Sequence, residues 1–126
     1  MTHPRPTPSE LELLQILWAT GPATVRAVHD QLSQRRDVGY TTVLKLLQIM
    51  TEKQLVERDE SQRSHVYRAR LAEEEAQGSM VGDLMDRAFA GSAKALVMRA
   101  LADRPAEPEE LAEIRRLLDE LEGGSR

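Results

Sequence analysis

The chain has 126 residues, 40% of them apolar and 30% charged, which suits one ordinary domain, or a small domain with an appendage that needs a partner, and excludes wholesale disorder. It has no cysteine and only 3% aromatic residues, so disulfide frameworks, thiol catalysis, thiolate metal sites and an aromatic platform for single strands are all excluded. The net charge of −4 is unevenly divided: residues 1–70 carry 10 Lys+Arg against 8 Asp+Glu (+2) and residues 71–126 carry 7 against 13 (−6), so only the first half is suited to face a polyanion.

Residues 1–7 read as a disordered, proline-broken lead without a signal-peptide core, and no apolar run approaches the roughly 20 residues of a membrane span. A cytoplasmic protein without membrane insertion is expected. Ser9 and Glu12 fit the S-x-x-E capping box, and Leu11, Leu14, Leu17 and Trp18 continue at helical spacing, which predicts a helix over about residues 9–19, stopped by Gly21-Pro22. Thr24 is suited to cap a second helix whose Val25, Val28 and Leu32 share one stripe, with Arg26, His29, Asp30 and Gln31 elsewhere. After a polar connector, a third helix runs from about Tyr40 to Lys53. Its Val43, Leu46, Leu47 and Met50 point to the core, and Thr41, Leu44, Lys45 and Gln48 repeat on another side that would face outward.

The period then changes. Leu55–Arg58 and His65–Ala69 read as two strands of a hairpin with a mobile, charged tip between them. Three helices followed by a hairpin are the sequence outline of a winged helix-turn-helix, expected over residues 8–70.

Residues 72–122 read as helical. A segment of about 73–90 carries Met80, Val81, Leu84, Met85, Ala88 and Phe89 on its apolar side, and Glu73-Glu74-Glu75 complement its positive end rather than a cation. Gly91 breaks it and Ser92 can cap a helix bearing Leu96, Val97, Ala100 and Leu101. Pro108 suits the first position of a last helix over about 108–122, whose Leu111, Ile114, Leu118 and Leu121 recur as in a coiled-coil seam, with Leu117 broadening the stripe. Gly123-Gly124 ends it, leaving residues 123–126 as a tail.

Three short helices on so little chain have more apolar stripe than they can bury against one another. Burying one Leu or Met is worth roughly 1.5 to 3 kcal/mol. A second copy is the natural cover, so a homodimer is expected, paired through Leu84, Phe89, Leu96, Leu101, Leu111, Ile114, Leu118 and Leu121. The expected fold is therefore mainly α with a small β-hairpin: a winged helix-turn-helix plus a C-terminal helical dimerisation region.

No G-x-S-x-G, phosphate loop or H-E-x-x-H motif occurs, and His3, His29 and His65 are isolated from one another, so no enzyme, metal or cofactor is expected. His29 reads as a helix-surface residue and His65 as a strand residue beside the wing. A helix fits the major groove of duplex DNA, where Thr41, Lys45 and Gln48 could read base edges and Leu44 could touch a thymine methyl. Arg35, Arg36, Tyr40, Thr42 and Arg63 are the candidate phosphate contacts. Two other readings have distinct signatures: a winged helix used only for protein contacts would show no salt-dependent duplex affinity, and a small-molecule sensor would bind a ligand among its C-terminal helices.

Glu12–Trp18, Tyr40-Thr41-Thr42-Val43, Lys53–Arg58, Val66-Tyr67, Phe89-Ala90-Gly91-Ser92 and the ending around Glu109–Leu121 together resemble the penicillinase repressor family, the BlaI/MecI type of bacterial regulators with copper-responsive CopY relatives, over Pro8 to Leu121. The resemblance implies a homodimeric transcriptional repressor on a palindromic double-stranded DNA operator with TACA/TGTA-like half-sites, and, in the antibiotic-response systems, a sensor-linked protease that inactivates it. Lys45 stands where the family often has threonine and Ile49 where it commonly has arginine, so half-site preference is expected to drift. Arg99-Ala100 replaces the Asn-Phe bond that is cut in the β-lactam-responsive members, and the cysteine pair of the copper-responsive ones is missing, which excludes thiolate copper sensing.

Overall fold

The computed structural model describes residues 5–123; residues 1–4 and 124–126, which include His3, Gly124 and the outer parts of the expected lead and tail, lie outside them. In chain order the elements are α1 (Pro8–Thr20), β1 (Ala23–Thr24), α2 (Val25–Ser33), α3 (Tyr40–Glu52), β2 (Val56–Asp59), β3 (Val66–Ala69), α4 (Glu73–Ala88), α5 (Ala93–Asp103) and α6 (Pro108–Gly123). They form two compact units, the first ending at Ser79 and the second beginning at Met80.

The capping box of α1 is not the expected Ser9–Glu12 pair but Thr7–Glu10. Pro8 has no N–H to lose and a φ already suited to a helix, so it takes the first helical position and makes the preceding residue the cap. Thr7 Oγ1 accepts from the Glu10 amide at 3.2 Å, and Glu10 Oε1 accepts from the Thr7 amide at 2.9 Å. The buried stripe of α1 also shifts. Leu13, Leu14, Ile16 and Leu17 are buried, whereas Leu11 and Trp18 sit at the margin, because α1 packs on α2, α3 and β3 at once and buries a wider arc than a two-helix contact would. Trp18 Nε1 donates to the Leu71 carbonyl at 2.9 Å and ties that margin to the chain beyond the sheet.

Thr24 caps α2 as expected, its hydroxyl accepting from the Ala27 amide, and Val25, Val28 and Leu32 are buried. In α3, Val43, Leu47 and Met50 are fully buried and Leu46 only partly so. The helix stops at Glu52 through a left-handed cap: Gln54 has φ 65°, the Gln54 amide reaches the Thr51 carbonyl and the Leu55 amide reaches that of Met50 at 2.9 Å. Leu55 is thus committed to closing the helix. Its carbonyl accepts from the Arg70 and Leu71 amides, which is why β2 begins one residue later than the alternation predicts.

The sheet has three strands rather than two, in the order β1-β3-β2, with both pairings antiparallel. Ala23 and Thr24 pair with Tyr67 and Val66, and Val56 to Asp59 pair with Ala69 to Val66. His65 falls just outside β3 instead of within it. Ala76, in the first turn of α4, closes the core of the first unit and is 2% exposed.

In the second unit, the end of α4 turns through Ala90 and Gly91, at φ 51° and 78°, with the Gly91 amide bonded to the Met85 carbonyl. Ser92 caps α5 by accepting from the Ala95 amide at 3.0 Å, and Pro108 opens α6. Neither α5 nor α6 contains a buried residue.

Candidate nucleic-acid interface

Gly39 precedes α3 and has no side chain with which to cap it, so the first-turn amides are left for an outside acceptor. Thr41, Lys45 and Gln48 are exposed along one side, as their spacing predicts, and Thr42 is exposed beside them. Leu44 is different: it is half-buried, packs on the core and presents only its edge.

That edge opens on a groove of about 450 Å³ between the start of α2, α3 and the chain leading into β3. Tyr40, Leu44 and Arg63, three of the expected contacts, line it together with Thr24, Arg26, Ser64 and His65. Thr41, Thr42, Lys45, Gln48, Arg35 and Arg36 do not line it.

Charge pairing separates the basic residues of this unit into two kinds. Arg36 is held by Glu12 of α1, Nη2 to Oε1 at 2.8 Å, so it braces the connector to α1. Lys53, Arg58 and Arg68 are similarly engaged by Glu10, Glu60 and Glu57, the last pair facing each other across β2 and β3. Arg26, Arg35, Lys45, Arg63 and Arg70 have no carboxylate partner among the described residues. Two of these five, Arg26 and Arg63, line the groove and a third, Lys45, stands on the exposed side of α3, whereas Arg35 and Arg70 lie outside the groove lining. Cations left unpaired by the fold are those free to meet phosphates without first breaking an ion pair.

Arg26 is the residue that sequence reasoning missed. Its Cζ lies 5.6 Å from the centre of the Tyr40 ring, within cation–π range. On the other side of that relationship stands His29, which is partly buried rather than a surface residue. The His29 and Tyr40 rings meet edge to face, 5.8 Å between centres and 65° apart. His29 Nε2 is 2.9 Å from the Val38 carbonyl oxygen, which can only accept, so Nε2 carries the hydrogen. Its Nδ1 is buried without a hydrogen-bond partner, with Asp30 Oδ1 at 3.7 Å. Only a cue of position signalled this group: Arg26 and His29 lie off the apolar stripe of α2, which leaves them available to the connector and α3.

Away from the groove, Glu10 is the one buried charged residue among those described, 2% exposed. Burial alone would raise its pKa, but hydrogen bonds from Lys53 and Thr7 and the Lys53 charge together outweigh it and hold the carboxyl below its ordinary 4.5. The Lys53 ammonium, 2.6 Å from Oε1, thereby fastens the C-terminal end of α3 to the N-terminal end of α1.

Of the expected pairing residues, Leu84, Leu118 and Leu121 are exposed, Leu121 by 66%, while Phe89, Leu96, Leu101, Leu111 and Ile114 are partly buried. No cluster of three or more metal-ligating side chains forms among the described residues, and none of their helices is long and apolar enough to cross a membrane.

The sequence matches the penicillinase repressor family over residues 6–120. It is 38% identical over 116 residues to the transcriptional regulator BlaI of Mycobacterium tuberculosis, in strains CDC 1551 and H37Rv alike, a match that spans 91% of this chain and 83% of the relative. Among solved structures, a mutant of Lactococcus lactis ZitR is similar at a TM-score of 0.48 and 15% identity, covering 100% of this chain and 80% of that one. The family match and the BlaI relative place the chain in the penicillinase repressor family, and it is a DNA-binding transcriptional regulator.

Proposed function

We propose that the chain represses transcription as a homodimer on a palindromic operator, with residues 8–70 binding DNA and residues 72–122 pairing the subunits. In this reading the exposed side of α3 enters the major groove. Thr41, Lys45 and Gln48 read base edges, the edge of Leu44 meets a thymine methyl, and Arg35, Tyr40, Thr42 and Arg63 meet phosphates. Arg36 keeps its place on the side of the duplex only if it leaves Glu12, so it is the weakest of the phosphate candidates.

The observation that carries the reading is the division of cations: the fold pairs those that brace it and leaves Lys45 and Arg63 unpaired at α3 and at the groove beside it. Pairing is supported by α5 and α6, which contain no fully buried residue in the single chain and expose Leu118 and Leu121. Two linked DNA-binding units gain about 10² to 10⁴ in affinity over one by raising the effective concentration of the second.

A sensor-linked protease belongs to this proposal through the family alone. The bond matching the family's cut site joins Arg99 and Ala100, exposed residues inside α5, with Arg99 paired to Asp103 at 3.3 Å.

The test is the affinity of the purified chain for duplex DNA as salt is varied, for the wild type and for Gln48→Ala. A log–log slope of about −0.9 per neutralised phosphate is expected. Gln48→Ala should relax base preference more than it weakens binding to random sequence. Equal loss on both kinds of duplex would show that Gln48 does not read bases, and salt-independent affinity would overturn the reading as a whole.

A further inference from the structure

We propose that Arg26 binds a backbone phosphate of the duplex at the groove beside α3, and that His29 is the positioning residue that holds the Tyr40 ring on which Arg26 rests. The inference rests on the proposed reading that this face meets DNA, and it adds a contact from α2 that none of the outward residues of α3 supplies.

Three observations converge on Arg26. It is exposed and has no carboxylate partner among the described residues, unlike the basic residues that brace this unit. It lies over Tyr40, which restricts a side chain that would otherwise sample many rotamers and turns its planar fork of donors toward one region. It lines the same groove as Arg63, so one guanidinium group from α2 and one from the connection between β2 and β3 border a space of about 450 Å³. A phosphodiester is the ligand that this chemistry fits, since a guanidinium donates two parallel hydrogen bonds to two phosphate oxygens. The Tyr40 hydroxyl, on a ring still 42% exposed, is a further donor beside them.

His29 secures the ring from behind. Its Nε2–H donates to the Val38 carbonyl, two residues before Tyr40, and its ring edge meets Tyr40. The ring is thereby located by a hydrogen bond to the connector as well as by packing. Ser33 Oγ, 3.3 Å from the same Nε2, is the remaining polar neighbour there. Loss of His29 removes the backing of Tyr40 and so the support of Arg26, without removing any group that itself touches DNA.

The experiment measures the affinity of the full chain for a random-sequence duplex across a salt series, because a phosphate contact carries no sequence information. Arg26→Gln should reduce the magnitude of the log–log slope by about 0.9 per bound protomer, and Arg26→Lys should restore it. His29→Leu should lower the slope in the same direction. The double variant should lose no more than Arg26→Gln alone, because His29 acts through Arg26. If His29→Leu fails to fold in a circular-dichroism melt, His29→Gln, which keeps a donor for Val38 but has no ring, replaces it in the cycle. An unchanged slope in Arg26→Gln overturns the phosphate contact, and additive losses overturn the role of His29. A wild type without salt-dependent affinity would instead be a failure of the DNA-binding reading itself.

Discussion

The first unit keeps its hydrophobic core to itself, whereas the second has nothing comparable. Every buried residue among those described lies at or before Ala76, while Met98, Leu118 and Leu121 beyond it are more than half exposed. Both units are rich in helices with regular apolar stripes, so periodicity does not distinguish them. The difference is in what the stripes meet. Stripes of α1, α2 and α3 converge with a three-stranded sheet on one centre. Those of α5 and α6 leave Met98, Leu118 and Leu121 exposed, and the coiled-coil-like spacing in α6 suits the second copy proposed above.

This contrast implies different responses to damage, and the largest is expected in the second unit. Leu118→Glu should give monomers in sedimentation and lower operator affinity by about 10² to 10⁴, since each DNA-binding unit would then bind alone. An intact dimer would remove Leu118 from the subunit contact. In the first unit, Leu47→Ala should cost about 2 to 5 kcal/mol in denaturant unfolding, because a fully buried side chain leaves a cavity. Its midpoint should not depend on protein concentration, whereas the melting of wild-type α5 and α6 should rise with it. Concentration dependence in both, or in neither, would erase the distinction.

Smaller effects sharpen the account of the first unit. Because the Glu10 carboxyl is held below its ordinary 4.5, the unfolded chain takes up a proton there before the folded one does. Its contribution to stability is complete above about pH 4.5 and is lost as the pH falls through the lower folded value. Acid unfolding followed in Glu10→Gln should lack that component, and identical profiles would contradict the clamp to Lys53. The least effect is a gain: Gln54→Gly, at φ 65°, should stabilise by about 0.5 to 1 kcal/mol, since glycine occupies the left-handed region without a Cβ clash. A loss of stability would mean that the Gln54 side chain matters more than its backbone.

Much of the fold is legible in the sequence where a single residue type has a local reason to be where it is. Thr24 and Ser92 accept from the amides three residues on, Pro108 opens α6, and Val43, Leu47 and Met50 keep the spacing of a buried stripe. The cap of α1 is harder, because Thr7-x-x-Glu10 and Ser9-x-x-Glu12 overlap and only the missing amide of Pro8 decides between them. Two-residue β1 is too short to show alternation and exists because β3 offers it an edge. The outward side of α3 is equally legible as a pattern, as Thr41, Lys45 and Gln48 show. The Arg26–Tyr40–His29 group is not, since it joins α2 to the start of α3 through contacts that leave no period in the chain. Nor could spacing foretell that Arg36 is occupied by Glu12, which stands 24 residues away.

The most direct test of the central claim is a footprint of the purified full chain on the DNA upstream of its own gene. Two protected half-sites related by twofold symmetry, their centres one helical turn of about 34 Å or a multiple apart, are predicted for paired recognition helices. A single unsymmetrical patch of protection, or none at salt concentrations where the chain binds duplex DNA, would contradict it.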